Sequence, residues 1–240
     1  MTWMMGINGS CVDSELISGI FLVQAIVGSR NLEREETDLK PFLDEAILDA
    51  DPIKQFKAWL GEAIEARIPQ PDTMVLATAS LDGKPSARVV LLKSFDERGF
   101  VFYTNYESRK GRDLASNPYA ALTFFWAEMD RQVRIEGSVS QLTSLESDLY
   151  FASRPRDSQL SSLTSSQSQP VGSRAELDSR FDELRRKYDG KPIPRPDHWG
   201  GYRLRPEKME FWQSRVARLN DRVLYSFVRY GKWIRTRLQP

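Results

Sequence analysis

The 240-residue chain has one cysteine, Cys11, and one histidine, His198. An intrachain disulfide is therefore excluded, and a reducing, cytoplasmic setting is expected. With so few soft or imidazole ligands, no zinc centre, Cys–His dyad or other transition-metal site is expected. A Ser–His–Asp relay would have to run through His198 alone, so any chemistry is expected to rest on a bound cofactor. Excess charge is also missing: 34 Lys and Arg stand against 33 Asp and Glu, a formal net charge of +1. That balance argues against a nucleic-acid binder or a binder of anionic membranes. No apolar run is long enough to span a bilayer. Ile17–Val27 is short and interrupted, and acidic Asp13 and Glu15 precede it where a leader would carry basic residues. Residues 1–33 read as a disordered or loosely docked extension, or alternatively a partner-binding helix, ahead of a single domain over residues 34–240.

What the chain does have is an ordinary globular composition, 40% hydrophobic and 28% charged, at a length that buries a sizeable core. Its most informative stretch runs from Arg88 to Leu114. Two strand-like runs, Arg88–Leu92 and Gly99–Thr104, flank a polar turn predicted over Phe95–Gly99. A loop then enters a short helix near Ser108. Arg88, Lys93, Arg109 and Lys110 fall at element ends, where cationic side chains and backbone N–H groups can converge on a phosphate. A hairpin carrying solvated charges is the competing reading.

Elsewhere the patterns are local and plain. Asp51 as N-cap and Pro52 at the first helical position open an amphipathic helix to about Arg67, with Ile53, Phe56, Leu60 and Ile64 as its core stripe. Met74–Ser80 and Tyr119–Trp126 read as strands, and Leu81–Lys84 as a tight hairpin turn. Arg131–Leu142 alternates as a strand with a bulge or bend at Gly137. Thr143-Ser-Leu-Glu146 and Ser173-Arg-Ala-Glu176 have capping-box spacing. The first opens a helix to about Ser153 and the second a helix carrying Leu177, Phe181 and Leu184. The serine-rich segment to Ser168 reads by composition as a loop, and Lys191–Pro196 as an extended connector. Four strand-like runs, Gly201–Leu204, Met209–Gln213, Val223–Val228 and Trp233–Leu238, close the chain. The sum is one α+β domain with nine or so antiparallel strands closing a barrel, and helices outside it.

Several separated motifs, in order, resemble the pyridoxine/pyridoxamine 5′-phosphate oxidase family. They are RVVLLK at 88–93, FVFYTNYESRKGRDL at 100–114, RQVRIEG at 131–137, YFASRPRDSQ at 150–159, PDHWGGYRL at 196–204, EFWQSR at 210–215 and RLNDR at 218–222. The resemblance covers roughly Asp51 to Pro240. It implies an antiparallel, Greek-key-like split β-barrel with peripheral helices, forming a homodimer that binds FMN between subunits. Residues matching the family's FMN ligands are the run Arg88, Val89, Val90, Leu91, Leu92 and Lys93, with Tyr103, Thr104, Arg109, Lys110 and Gln132. Gln167, Ser168, Trp212 and Arg222 complete that set, some from the other subunit. The substrate phosphate is matched by Lys93, Tyr150, Arg154 and Ser158, and the catalytic loop by Arg218, Leu219 and Asn220.

The implied reaction passes a hydride from C4′ of pyridoxamine or pyridoxine 5′-phosphate to FMN, and O2 then reoxidises the flavin to give hydrogen peroxide. The chain departs from the family pattern in three places. Asn220 stands where the family has histidine, and Ser161-Ser162-Leu163 replaces Gly-Ala-Trp. Arg34 with the acidic run Glu35–Asp38 stands near the family's N-terminal lid residues. Two readings follow: an oxidase, or a diverged protein that binds FMN or pyridoxal phosphate with little turnover, which Asn220 would favour. Another split-barrel flavin reductase is a third, which the retained phosphate residues disfavour.

Overall fold

A computed structural model describes residues 42–228 and 231–240. The readings of residues 1–33 and of the segment around Arg34 lie outside the described residues. Nine antiparallel strands form one curled sheet: β1 Thr73–Ala79, β2 Pro85–Leu91, β3 Ser94–Asp96, β4 Gly99–Asn105, β5 Tyr119–Trp126, β6 Arg131–Gln141, β7 Trp199–Gln213, β8 Asp221–Val228 and β9 Lys232–Arg237. The order is β2-β1-β5-β6-β7-β4-β3, with β8 on the second half of β7 and β9 beyond it. This is a split β-barrel. Five helices lie around it among the described residues: α1 Pro52–Glu65, α2 Arg109–Ser116, α3 Ser144–Ser153, α4 Arg156–Thr164 and α5 Arg174–Lys187. None is long and apolar enough to cross a membrane.

Helix α1 forms where expected, with the Asp51 carboxylate accepting from the Ile53 N–H at 2.8 Å and Pro52 leading. Its buried stripe is shifted from the expected one. Phe56, Trp59 and Ala63 face the core, while Ile64 is exposed. The spacing of three and four is helical either way, and the aromatic rings decide which face is buried. Phe56 meets Phe95, Phe100, Phe124 and Trp126 at centroid distances of 4.9–6.3 Å. The same packing explains why Phe95 belongs to strand β3 rather than a turn: its ring lies against Phe56 and Phe100. The turn shrinks to Glu97-Arg98, with Asp96 accepting from the Arg98 N–H at 2.9 Å.

Two further expectations are corrected. The runs Gly201–Leu204 and Met209–Gln213 are halves of one fifteen-residue strand, β7. Pro206 does not break it because the register shifts there: Gly137 pairs with Pro206 and Glu136 with Lys208, leaving Glu207 as the extra residue. The bulge expected near Gly137 thus has its additional residue on the opposite strand. The serine-rich segment is helical from Arg156 to Thr164, not a loop. Leu160 is wholly buried in a second apolar cluster with Phe151, Ile193 and Trp199. The hydroxyls bond back into the helix, Ser162 to the Ser158 carbonyl at 3.1 Å and Thr164 to that of Leu160 at 2.9 Å, so polarity does not oppose folding. Both capping residues act, Thr143 in a reciprocal box with Glu146. Ser173 accepts from the Glu176 N–H, whereas the Glu176 carboxylate takes the Gly172 N–H instead.

Leu160→Ala is therefore expected to cost about 2–5 kcal/mol, read as a lowered denaturation midpoint. A composition-driven loop at this position would give no such loss.

Candidate functional site

A cleft of about 850 Å³ opens between β2, the end of β4, the start of α2, the α3–α4 junction and residues 165–168. Each side chain reaches it for a local reason. Strand β2 alternates, so Arg88 and Val90 turn inward while Val89 and Leu91 stay exposed. The Ser108 hydroxyl accepts from the Gly111 N–H and starts α2, which brings Arg109 and Lys110 to the cleft. The close turn from Asn105 into α2 needs Gly111, because a Cβ there would collide with the Tyr106 carbonyl. Residues 165–168 turn back over this end, with Ser168 at φ 70°, and Ser168 Oγ accepts from the Arg109 N–H at 3.2 Å.

Lys110 Nζ donates to Gln167 Oε1 at 2.8 Å and to Thr104 Oγ1 at 3.0 Å, both neutral acceptors. Burial, with Arg88 nearby, pulls its pKa down to about 8. Arg88 Nη1 donates to Thr78 Oγ1 at 2.8 Å and to the Leu76 carbonyl at 3.0 Å. The Asp113 carboxylate stands off at 3.9 Å. Burial lowers the Arg88 pKa despite that carboxylate. Among the described residues, Arg109, Lys110 and Arg154 have no carboxylate within ion-pair distance. Lys93 has Asp72 at 3.8 Å.

Across from this group, Tyr103 stacks on Tyr150 at 3.8 Å between centroids, and the Trp199 indole lies nearly parallel to both. Burial, reinforced by Tyr150, pushes Tyr103 up to about 12. Arg154 sits one residue beyond α3 in extended backbone, so the helical spacing expected to pair it with Tyr150 is only approximate. Its guanidinium lies 4.5 Å from the Trp199 ring centroid, and burial lowers its pKa. Ser158 lines the same wall. Positive charge in excess of its carboxylates, flanked by hydroxyls and a flat aromatic wall, suits phosphorylated, planar ligands.

The cleft thus gathers Arg88, Val89, Val90, Leu91, Lys93, Tyr103, Thr104, Arg109, Lys110, Gln167 and Ser168 with Tyr150, Arg154 and Ser158. Other candidates lie elsewhere. Leu92 is buried in the core. Gln132, Trp212 and Arg222 are register partners in one row across β6, β7 and β8, flanked by exposed Phe125 on β5. There Arg222 binds Glu210 through both Nε and Nη2, at 2.9 and 3.1 Å. Arg218, Leu219 and Asn220 form the turn before β8, with Ala217 and Arg218 at positive φ. Asn220 Oδ1 accepts from the Arg215 N–H at 3.0 Å and closes that turn.

Sequence reasoning missed Trp199 and Ser162 as cleft residues. Trp199 stands in a quoted motif, but its stacking role needs strand β7 placed beside β4. His198 turns away, its carbonyl accepting from the Tyr106 N–H and its Nε2 buried without a partner.

Two family models match in sequence. The one described as pyridoxamine 5′-phosphate oxidase covers residues 60–188, and the pyridoxine 5′-phosphate oxidase C-terminal dimerisation region covers residues 199–240. The chain belongs to the pyridoxamine 5′-phosphate oxidase family. A pyridoxine/pyridoxamine 5′-phosphate oxidase of Rubrobacter xylanophilus is 56% identical over 209 residues, 87% of this chain and 95% of that relative. One from Acaryochloris marina is 54% identical over 82% of this chain and 89% of the relative. Among solved structures, PhzG from Burkholderia lata, in complex with tetrahydrophenazine-1-carboxylic acid, superposes with a TM-score of 0.79. It is 35% identical over 84% of this chain and 98% of that one. A pyridoxamine 5′-phosphate oxidase-related, FMN-binding protein of Nostoc punctiforme shares the fold, with a TM-score of 0.63 at 16% identity over 79% of this chain and 98% of that one. The chain is accordingly an oxidoreductase-type member of a flavin-binding split-barrel family.

The depressed Lys110 value sets a pH dependence. The folded value lies below the unfolded one, so the unfolded chain holds more protons between them. Without ligand, this group therefore adds stability as pH climbs above about 8. A bound anion needs the protonated form, so its affinity falls over the same window. Fluorescence titrations with a phosphorylated flavin at about pH 7 and about pH 9 should show its binding weaken, and Lys110→Gln should flatten that trend.

Proposed function

We propose that the chain oxidises pyridoxamine 5′-phosphate or pyridoxine 5′-phosphate to pyridoxal 5′-phosphate, using FMN and O2, as a homodimer. The observation that carries this reading is two groups of cations in one cleft, one at the start of α2 and one at the α3–α4 junction, with an aromatic wall. Two phosphorylated ligands, a cofactor and a substrate, account for both. The names of the relatives support the same reaction, and the matched dimerisation region supports the homodimer.

The first group fits the phosphate of FMN. Its donors are ammonium, guanidinium and backbone N–H groups without carboxylate competitors. Arg109, Lys110, Thr104 and Ser168 would hold that phosphate, with Arg88 behind them. Bound FMN would supply two-electron chemistry, accepting a hydride from C4′ and passing both electrons to O2 to give hydrogen peroxide. Lys93, Arg154 and Ser158 would hold the substrate phosphate, and Tyr150 would help orient it. Gln132, Trp212 and Arg222 face outward on one chain, so on this reading they serve a site shared with the second subunit. Arg222 would then have to exchange part of its Glu210 pairing for the ligand. PhzG is crystallised with a phosphate-free carboxylic acid, and the second cationic group is what favours a phosphorylated substrate here.

A binding role with little turnover is the second reading, and Asn220 favours it. Its amide cannot take up a proton as an imidazole does, and its Oδ1 already accepts from the Arg215 N–H.

The deciding experiment adds pyridoxamine 5′-phosphate anaerobically to the FMN-saturated protein and follows flavin absorbance. Bleaching, then pyridoxal phosphate and peroxide on admitting air, is the expected result. A perturbed spectrum that never bleaches would establish the binding role, and no flavin binding would overturn both. Asn220→His is expected to raise kcat, and Arg88→Ala to lower FMN retention, measured by spectrum after gel filtration.

A further inference from the structure

Arg154 belongs to no helix, yet its surroundings fix it from three sides. The Trp199 indole lies 4.5 Å from the guanidinium carbon. Gln159 Nε2 donates to the Arg154 carbonyl at 2.9 Å, which ties the backbone to α4. Arg154 Nη1 donates to Ser162 Oγ at 2.7 Å. The Ser162 hydroxyl proton is meanwhile given to the Ser158 carbonyl at 3.1 Å. Its hydrogen is thus spent within the helix, and its lone pair faces the cation. A hydroxyl in that state is poorly placed to donate to a ligand, but it can aim the arginine.

Aiming matters because a guanidinium is a rigid planar fork. It grips a phosphate through paired donors only when the plane is fixed, and a freely rotating arginine must lose that freedom on binding. With Nη1 turned to Ser162, the other donors of the fork are left for an anion. The resemblance to the family puts a Gly-Ala-Trp sequence where this chain has Ser161-Ser162-Leu163. The hydroxyl is therefore a feature of this chain rather than one carried over from the motif.

We infer that Ser162 is a positioning residue that aims the Arg154 fork at the phosphate of the ligand, and so sets the preference for phosphorylated over dephosphorylated pyridoxal compounds. The inference rests on the reading of this cleft as a phosphorylated-substrate site.

The test uses the full-length, FMN-saturated chain titrated with pyridoxal 5′-phosphate and, separately, with pyridoxal, read by the flavin difference spectrum. Ser162→Ala should weaken binding of the phosphate ester roughly tenfold, the equivalent of one lost hydrogen bond to a charged group, and leave pyridoxal unaffected. Ser162→Thr, which keeps the hydroxyl, should restore most of the loss. Under turnover the change should fall on KM rather than kcat. Should alanine unsettle α4, the near-isosteric pair Ser162→Thr and Ser162→Val carries the same comparison. Equal weakening of both ligands would show a merely structural serine and overturn the inference. So would an unchanged preference in Ser162→Ala against a wild type that favours the phosphate ester, and the reading of the cleft would then survive. A wild type that binds both ligands equally would overturn the reading of the cleft and the inference with it.

Discussion

Strand β7 must change partners half-way along its length, and the rest of the molecule is arranged around that constraint. One edge of β7 pairs with β6 from Tyr202 to Gln213. The other edge pairs with β4 from Trp199 to Leu204, then with β8 from Lys208 to Gln213. The changeover falls at residues 205–207, where Pro206 has no N–H to give and Glu207 is the extra residue. Glycines crowd this point from both sides. A Cβ on Gly137 would collide with the Arg205 carbonyl, and one on Gly99 with the Leu204 carbonyl. Gly99 also has φ 130°, a conformation that only glycine adopts readily. The sheet splits here because the backbones approach too closely for any side chain.

That geometry explains why the candidate ligands fall into two sets. The first half of β7 carries Trp199 into the cleft beside Tyr103 of β4. The second half carries Trp212 between Gln132 and Arg222 on the outward face. Two tryptophans of one continuous strand thus reach separate places on the same outer face of the sheet, because the extra residue Glu207 offsets the odd spacing of thirteen positions between them.

The cleft is electrostatically costly as it stands. Cations gathered in a partly desolvated space repel one another, and the lowered pKa values of Lys110, Arg88 and Arg154 all name burial as their main cause. Acceptors such as Thr104, Gln167 and Ser162 satisfy hydrogen bonds without supplying negative charge. The two carboxylates near the cleft, Asp113 and Asp72, stand 3.9 and 3.8 Å from Arg88 and Lys93, whereas Asp221 pairs closely with Arg215 and Arg237 at 2.7 and 2.9 Å. The contrast between the two neighbourhoods makes the cleft electrostatically complementary to an anion.

Much of this was legible in the sequence, for reasons that are local. Caps at Asp51, Ser108 and Thr143, the alternation of β5 and β6, and the cationic element ends all act within a few residues. What was not legible depends on distant partners. Polar composition hid α4, because the side chain that makes it a helix, Leu160, is one apolar residue whose burial against Phe151 and Trp199 comes from far along the chain. The two runs Gly201–Leu204 and Met209–Gln213 read as separate strands, because only the shifted register opposite Gly137 shows how β7 continues through Pro206. Ser162 looked like loop filler until α4 formed and aimed its hydroxyl at Arg154. In each case a polar or breaking residue was tolerated, and given a purpose, by a contact at long range. Two of these contacts, those of Leu160 and Ser162, lie beside the candidate site, so local sequence rules lose force nearest to it.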